Sequence, residues 1–462
     1  MDERGNRFAV RRSAAAGLLA GAVVGSTILV IVGSAIAQSA ADSADPYVEA
    51  THLPPLLTTA DAVELEYDAY CIDPATDEAE SWCDVTGSAF VRPGASGHFR
   101  EVPLMRDGAT NRLVARVPES IASSREGFTY YAEIETAPEG ASVVTLPAGG
   151  ASAPHRSLPL GQAIQVDLGT HRFGEPARAD ERVAAAAWGD GPSEAGLEQG
   201  RNVPPIGASA FDVDASGTVV LLDQAHRRLL RWRPGARSPT QVPLEIDGAL
   251  ADMTLAQDGT VYVLESVGRA GRTPLVRRFD AGGRSLGSTE TAESRSSQIR
   301  HGSGGTVVLQ QPSQQWMRVA AAGSLVGPDG QRRSGRAGRL HGGGIEVIVL
   351  RHDNEIRVAL AGSAGVLRSW RITSETALAE VQLAEPLGSH LVLVTRVYSD
   401  GRDQFVVLVL DRSGVRRTFA LESAAWAETA PLARFRLVGS SLFRLGSTPA
   451  GVFVDRFDLK GK

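Results

Sequence analysis

Asp212, Asp214 and Ser216 fall at alternate positions before Gly217, and Asp223 stands twelfth in the same run. Oxygen ligands spaced this way around a glycine turn fit a Ca²⁺-binding loop. The same letters also fit a strand, with Phe211 and Val213 on one face and Asp212 and Asp214 on the other, outer face. A copy of the stretch 42 residues on carries Thr254 and Ala256 where the two aspartates stand, which favours the strand over the metal. Residues 283–287 have the letters of a nucleophile elbow around Ser285, and His341-Gly-Gly-Gly344 those of an oxyanion turn. An elbow needs a strand before it and a helix after it to strain the serine. Polar residues 288–294 follow instead, and the oxyanion turn comes after the serine. Both segments read as turns between strands, as does Gly302-Ser-Gly-Gly305. The nine histidines are scattered, and no zinc, Walker or Rossmann spacing occurs, so no catalytic residue and no cofactor is assigned.

The only cysteines, Cys71 and Cys83, have eleven residues between them. In an oxidising compartment two such thiols form one disulfide, since zinc would need further ligands from histidine. Asp73, Asp77, Glu78 and Glu80 between them read as a solvated acidic hairpin tip, with a bound cation as the alternative. The basic, glycine-rich residues 331–339 read as a solvated loop; contact with an anionic polymer is the functional alternative.

The elements that would position these residues are strands throughout. Residues 211–232 run strand, glycine turn, strand, polar turn, strand, and recur in worn form about 42 to 46 residues later. That period with all-β content is the mark of a propeller blade. Further copies fall at 298–319, 345–360, 391–410 and 435–457, and the chain from about residue 180 onward has room for six at roughly 47 residues each, with seven as the alternative. Ring closure should borrow an early strand, either 162–167 or 183–188, to complete the final blade and remove a free edge. Upstream, residues 63–70, 82–91, 99–104, 112–117, 128–134 and 141–146 alternate apolar and polar between short turns, the pattern of a β-sandwich. The expected order is a signal peptide or membrane anchor over 1–40, a linker over 41–60, the sandwich over 61–160 and the propeller over 161–462.

Two family resemblances follow from these residues. The order Phe211-Asp-Val-Asp214, Gly217, a strand ending in Asp223 and then Arg228-Leu-Leu-Arg-Trp232 resembles an NHL repeat, a six-bladed β-propeller family. The resemblance implies that the Asp223–Arg228 pair is structural, the acid tying its turn to the neighbouring strand; Glu265 takes the place of Asp223 in the next copy. Residues 60–150, with Phe99, Pro103, Leu113, Val117, Phe128, Tyr130 and Tyr131 in their strands, resemble the immunoglobulin- or fibronectin-like accessory domains of bacterial secreted proteins. That resemblance implies a spacer or adhesive module.

The bulk properties point to compartment and partner class. With 47 Lys+Arg against 53 Asp+Glu, the net charge of −6 argues against nucleic-acid binding. Arg4, Arg7, Arg11 and Arg12 precede an uncharged apolar run from 13 to 40, which places the N-terminus in the cytoplasm and the domains outside. Cleavage near Ala35-Ile-Ala37 and retention as an anchor both stay open. The arginine-rich composition, with lysine only at 460 and 462, fits a GC-rich bacterial source. The expected function is non-catalytic: an envelope protein presenting a propeller to a protein or glycan. The alternative is a metal-dependent lactonase or lyase of the six-bladed type, with ligands drawn from several blades into the channel.

Overall fold

The computed structural model describes residues 47–460 apart from 60–61, 74–77, 81–84, 137–141, 202–203, 247–248, 268–274, 292–297, 312, 327–331, 339–344, 353, 424 and 429–432. The N-terminal apolar run, Trp82, Cys83, Asp77 and His341 lie outside them, as do the side chains of Asp73, Glu78 and Glu80. Among the described residues no helix is long and apolar enough to cross a membrane.

The first unit is a two-layer sandwich. One sheet runs β1 (Tyr47–Thr51), β3 (Val63–Asp73), β8 (Leu113–Val117), β7 (Met105–Arg106), with β4 (Glu78–Glu80) beside β3. The other runs β2 (Leu57–Thr58), β11 (His155–Pro159), β9 (Phe128–Thr136), β5 (Val85–Pro93), β6 (Arg100–Pro103), with β10 (Val143–Leu146) on β9. Period-two alternation explains the layering: Val63, Leu65 and Tyr67 are buried while Glu64 and Glu66 are exposed. Their buried faces meet Ala89, Val91, Phe128, Tyr130 and Ile134 of the opposite sheet in one core. The linker expected over 41–60 is corrected from residue 47 on, because Val48 and Ala50 are fully buried in this core and β2 joins the second sheet. Cys71 is buried on β3 and is not a free thiol.

Six more sheets follow among the described residues, the architecture of a β-propeller. The first is β14 (Ala210–Val213), β15 (Val219–Asp223), β16 (Arg228–Trp232) and β17 (Thr240–Pro243). The second is β18 (Ala249–Leu255), β19 (Val261–Val267), β20 (Leu275–Phe279) and β21 (Ser285–Glu290). The third is β22 (Gln298–His301), β23 (Val307–Gln310), β24 (Trp316–Ala321) and β25 (Ser324–Leu325), with β26 (Arg332–Arg333) also on β24. The fourth is β27 (Arg336–Ala337), β28 (Glu346–His352), β29 (Glu355–Gly362) and β30 (Gly365–Thr373). The fifth is β31 (Ala377–Leu387), β32 (His390–Ser399), β33 (Arg402–Asp411) and β34 (Gly414–Glu422). The sixth takes β35 (Phe435–Val438), β36 (Ser441–Thr448) and β37 (Gly451–Asp458) from the C-terminus.

The sixth sheet is completed by β13 (Glu181–Ala187), antiparallel to β37. Of the two early segments offered for closure, this is the one used. The other, β12 (Ile164–Asp167), lies parallel to β30 at the edge of the fourth sheet instead. Closure pairs the edge of β37 and joins both ends of the propeller by main-chain hydrogen bonds. Successive sheets share apolar clusters: Phe211 and Trp232 with Phe443 and Val454, then Leu222 with Met253 and Phe279, then Leu264 with Ile299 and Met317. Trp370 and Ile356 meet Leu393 and Leu408, and Phe405 meets Phe435 and Phe457. The glycine turns fall where the sequence places them: Gly217 has φ 88° between β14 and β15, and Gly283 has φ 87° between β20 and β21.

Candidate functional site: the buried axis

The sheets meet along their early strands, β14 beside β18, β18 beside β22, β28 beside β31, β31 beside β35 and β35 beside β14. These strands carry charged residues among apolar ones, and the ring turns those charges inward. Asp212 and Asp252 are fully buried, and Arg300, Arg336, Arg436 and Glu385 nearly so. An unpaired charge at such a place costs several kcal/mol, so each must find a partner.

Both oxygens of Asp212 are engaged. Oδ1 accepts from the Val213 amide at 2.7 Å, and Oδ2 from the Leu255 amide at 2.8 Å and the Thr254 hydroxyl at 3.1 Å. Asp252 accepts from the amides of Met253 (2.8 Å) and Ile299 (3.0 Å) and forms an ion pair with Arg300. Arg436, from the far side of the ring, donates to Asp252 at 2.7 Å and to the Met253 carbonyl at 3.1 Å, with its Nε 3.7 Å from Asp212. Burial, then the neighbouring Arg300, pulls the Arg436 guanidinium below its ordinary pKa, while Asp252 and Asp212 oppose that. Arg336 pairs with Glu385 and donates to the Ala384 carbonyl at 3.1 Å. Among the described residues three arginines thus face three carboxylates, and each of these ion pairs joins one sheet to another.

Asp212, expected on an outer, solvated strand face, is instead at the axis. The correction has a simple cause: inside a ring the second face of a first strand looks toward the other sheets, not toward water. Arg336, expected in a solvated loop, is corrected for the same reason. Asp214 stays near the surface, where its Oδ1 accepts from Ser216 and Thr218 amides at 2.8 and 2.9 Å and holds the hairpin. Asp223 lies at the opposite end of the β14–β15 pair from Asp214, since Val213 pairs with Val219 and Ala210 with Leu222. The three aspartates therefore do not converge, and no group of three His, Cys, Asp or Glu side chains suited to a metal occurs among the described residues.

Asp223 is fully buried and receives Arg228 Nε at 2.9 Å, His226 Nδ1 at 2.9 Å and the Gly196 amide at 3.1 Å. Arg228 also donates to the carbonyls of Gly191 (3.0 Å) and Glu194 (2.6 Å), and His226 Nε2 meets Asp190 at 3.0 Å. Residues 190–196 follow β13, so this cluster ties the closing strand to the first sheet. Glu265 forms the corresponding ion pair with Arg277 in the second sheet. Ser285 opens the exposed edge strand β21 with no helix behind it, far from an elbow's geometry.

Asp252, Arg300, Arg436 and Glu385 were not singled out in the sequence. The available signal was that the first strand of each sheet carries a charged residue: Asp212, Asp252, Arg300, Arg336, Glu385 and Arg436. A further polar cluster, also unforeseen, sits at the base of the sandwich. His52 meets the Glu66 carbonyl at 2.6 Å and the Tyr130 hydroxyl at 2.7 Å and stacks on Tyr67 at 4.3 Å. His155 lies 5.5 Å from His52, ring to ring, and its Nδ1 meets Gln315 Oε1 of the third propeller sheet at 2.8 Å.

No protein-family model and no curated protein matches the chain. Among solved structures, it is similar to a virginiamycin B lyase from Staphylococcus aureus (12% identity, 54% of this chain and 94% of that one, TM-score 0.30). It is also similar to a protein of unknown function from Desulfotomaculum acetoxidans (13% identity, 56% and 84%, TM-score 0.38) and to YCF48 bound to a D1 peptide (11%, 63% and 100%, TM-score 0.31). Likeness at this level assigns no activity to the chain, and the propeller stands on its own strand order.

Proposed function

We propose that this chain is a non-catalytic binding or scaffold protein of the bacterial envelope, a six-bladed propeller of NHL-like type carried on an immunoglobulin-like sandwich. Each of the six sheets is one blade, and the rim of loops between strands is the surface offered to a protein or glycan partner. The observation that supports this is the axis. A channel metal in the lactonase or lyase reading needs carboxylates and imidazoles free to ligate. Here Asp212, Asp252 and Glu385 are engaged by backbone amides and by Arg300, Arg336 and Arg436. Such a network holds blades together and commits these three carboxylates to donors of the protein itself. The basic flank and apolar run before residue 41 support placement outside the cytoplasmic membrane, as a secreted or anchored protein.

Metal analysis of the purified protein, with melts with and without chelator, tests the reading. The expected result is no stoichiometric metal and an unchanged melting temperature. A bound metal whose removal lowers the melting temperature overturns it in favour of the enzyme.

A further inference from the structure

Closure of the ring leaves a groove of about 460 Å³ between the sixth and first sheets, a size that suits a few residues of peptide or a small ligand. One wall is the start of β13, residues 181–185, and the other is formed by the β14–β15 and β16–β17 turns of the first sheet. Trp232, Phe443 and Arg456 complete the lining. A strand shows alternate residues to whatever lies on its face and consecutive residues to whatever lies along its edge. Five consecutive residues of β13 line the groove, so the groove follows an edge of that strand. It is the free edge. β13 is the last strand of its sheet, its other edge is taken by β37, and no further strand pairs with residues 181–185 among the described residues.

We propose that this groove is a peptide-binding site: an extended segment of a partner protein, with acidic and apolar residues alternating, adds to the free edge of β13 and sets a carboxylate against Arg237.

The site rests on the non-catalytic binding reading and gives it a location and a partner chemistry. A free strand edge offers main-chain donors and acceptors to a second extended chain, a pairing that a glycan cannot match in register. Phe443 and Trp232, at 5% and 2% exposure, also present little ring surface for a sugar to stack on. The charged lining is Glu181, Arg182, Arg237 and Arg456. Arg456 is held by Glu181 at 2.9 Å, and Arg182 by the buried Asp455 at 2.9 Å. Arg237 is exposed and has no ion pair among the described residues, so an acidic ligand meets an uncommitted cation there. Two buried donors of the lining, Trp232 Nε1 and Arg456 Nε, find no acceptor among the described residues, which favours a ligand rich in oxygen acceptors. Half-buried Val183 and exposed Pro234 add apolar surface. Period-two alternation lets one extended segment carry apolar residues on one side and carboxylates on the other.

Selection of a displayed library of random heptapeptides on the full chain, followed by fluorescence anisotropy of the enriched peptides, decides the matter. The expected consensus alternates apolar residues with aspartate or glutamate. Arg237→Glu, in an exposed turn, should raise Kd about tenfold, since charge reversal replaces a surface attraction with a repulsion of similar size. Methylating alternate backbone amides of the peptide should weaken binding by a similar factor, because it removes the donors that pair with β13. No enrichment, or a consensus that is basic or lacks acidic residues, overturns the proposal. Enriched peptides that bind Arg237→Glu as tightly as the wild type, or that are indifferent to methylation, overturn it as well. Metal content judges the wider reading separately: a metal-free protein that selects no peptide refutes the groove and leaves the non-catalytic reading standing.

Discussion

Asp252 is the residue on which the axis turns, since it receives two backbone amides and two guanidiniums from three sheets. Removing one partner of a buried pair leaves the other charged and desolvated, which costs about 3–5 kcal/mol. Asp252→Ala and Arg436→Ala should each lower unfolding free energy by that amount in urea titrations, whereas Asp214→Ala, at the surface, should cost about 1 kcal/mol or less. A destabilisation as small for Asp252 as for Asp214 would mean the axis is wet. His226 gives a test of sign. Desolvation lowers its pKa, but the hydrogen bonds to Asp223 and Asp190 outweigh that and leave it above its ordinary value. Its contribution is therefore complete below pH 6.5 and is lost as pH rises through the raised value. Thermal melts should fall between pH 6 and pH 8 in the wild type and lose part of that slope in His226→Gln.

At the level of elements, β13 decides whether the ring is closed. It supplies the outer strand of the sixth sheet and brings Arg182 to Asp455 at 2.9 Å and over the Phe453 ring at 3.8 Å. Its alanines sit inside the junction with the first sheet, where Ala184 and Ala186 pack beside Phe443 and Trp232. Ala186→Asp puts an unpaired carboxylate into that junction and should open the ring at its closure. The expected readout is a melting temperature lower by roughly 5–10 °C, with aggregation through the freed edge of β37. The strand β3 carries the second element-scale expectation. Cys71 should resist alkylation until reduction, and breaking a Cys71–Cys83 disulfide should cost about 3 kcal/mol in the loop-entropy model. Ready alkylation of the native protein would rule that bond out.

For the whole molecule, the interlocked seam between sandwich and propeller argues that the two unfold together. Leu57, Leu158, Leu350 and Ala359 form one cluster across the boundary, so neither unit has a complete surface alone. Calorimetry should show a single transition, and Leu57→Ala with Leu158→Ala should lower it for both units, each truncation costing about 2–5 kcal/mol. Two separate transitions, with only one moved by these changes, would make the sandwich an independent stalk.

Strand periodicity, glycine turns and the repeat of residues 211–232 were legible because they are local: alternation and turn chemistry act over a few residues, and each sheet is built from neighbours in the chain. Residues 63–70, 128–134 and 298–319 accordingly fall in strands where their patterns place them. The first strand at Tyr47–Thr51 was hidden by the polar, proline-bearing stretch around it. The role of Asp212 was hidden for a deeper reason. Whether the second face of a strand meets water or other strands depends on ring closure, and the partners of that face, Arg436 and Thr254, lie on other sheets. What the sequence by itself determined was the kind and order of the elements, because hydrophobic alternation is read along the chain. Which charges are buried, which early strand closes the ring and where the sandwich wedges in were decided only by tertiary structure, because those contacts join residues from 42 to 300 positions apart on different sheets.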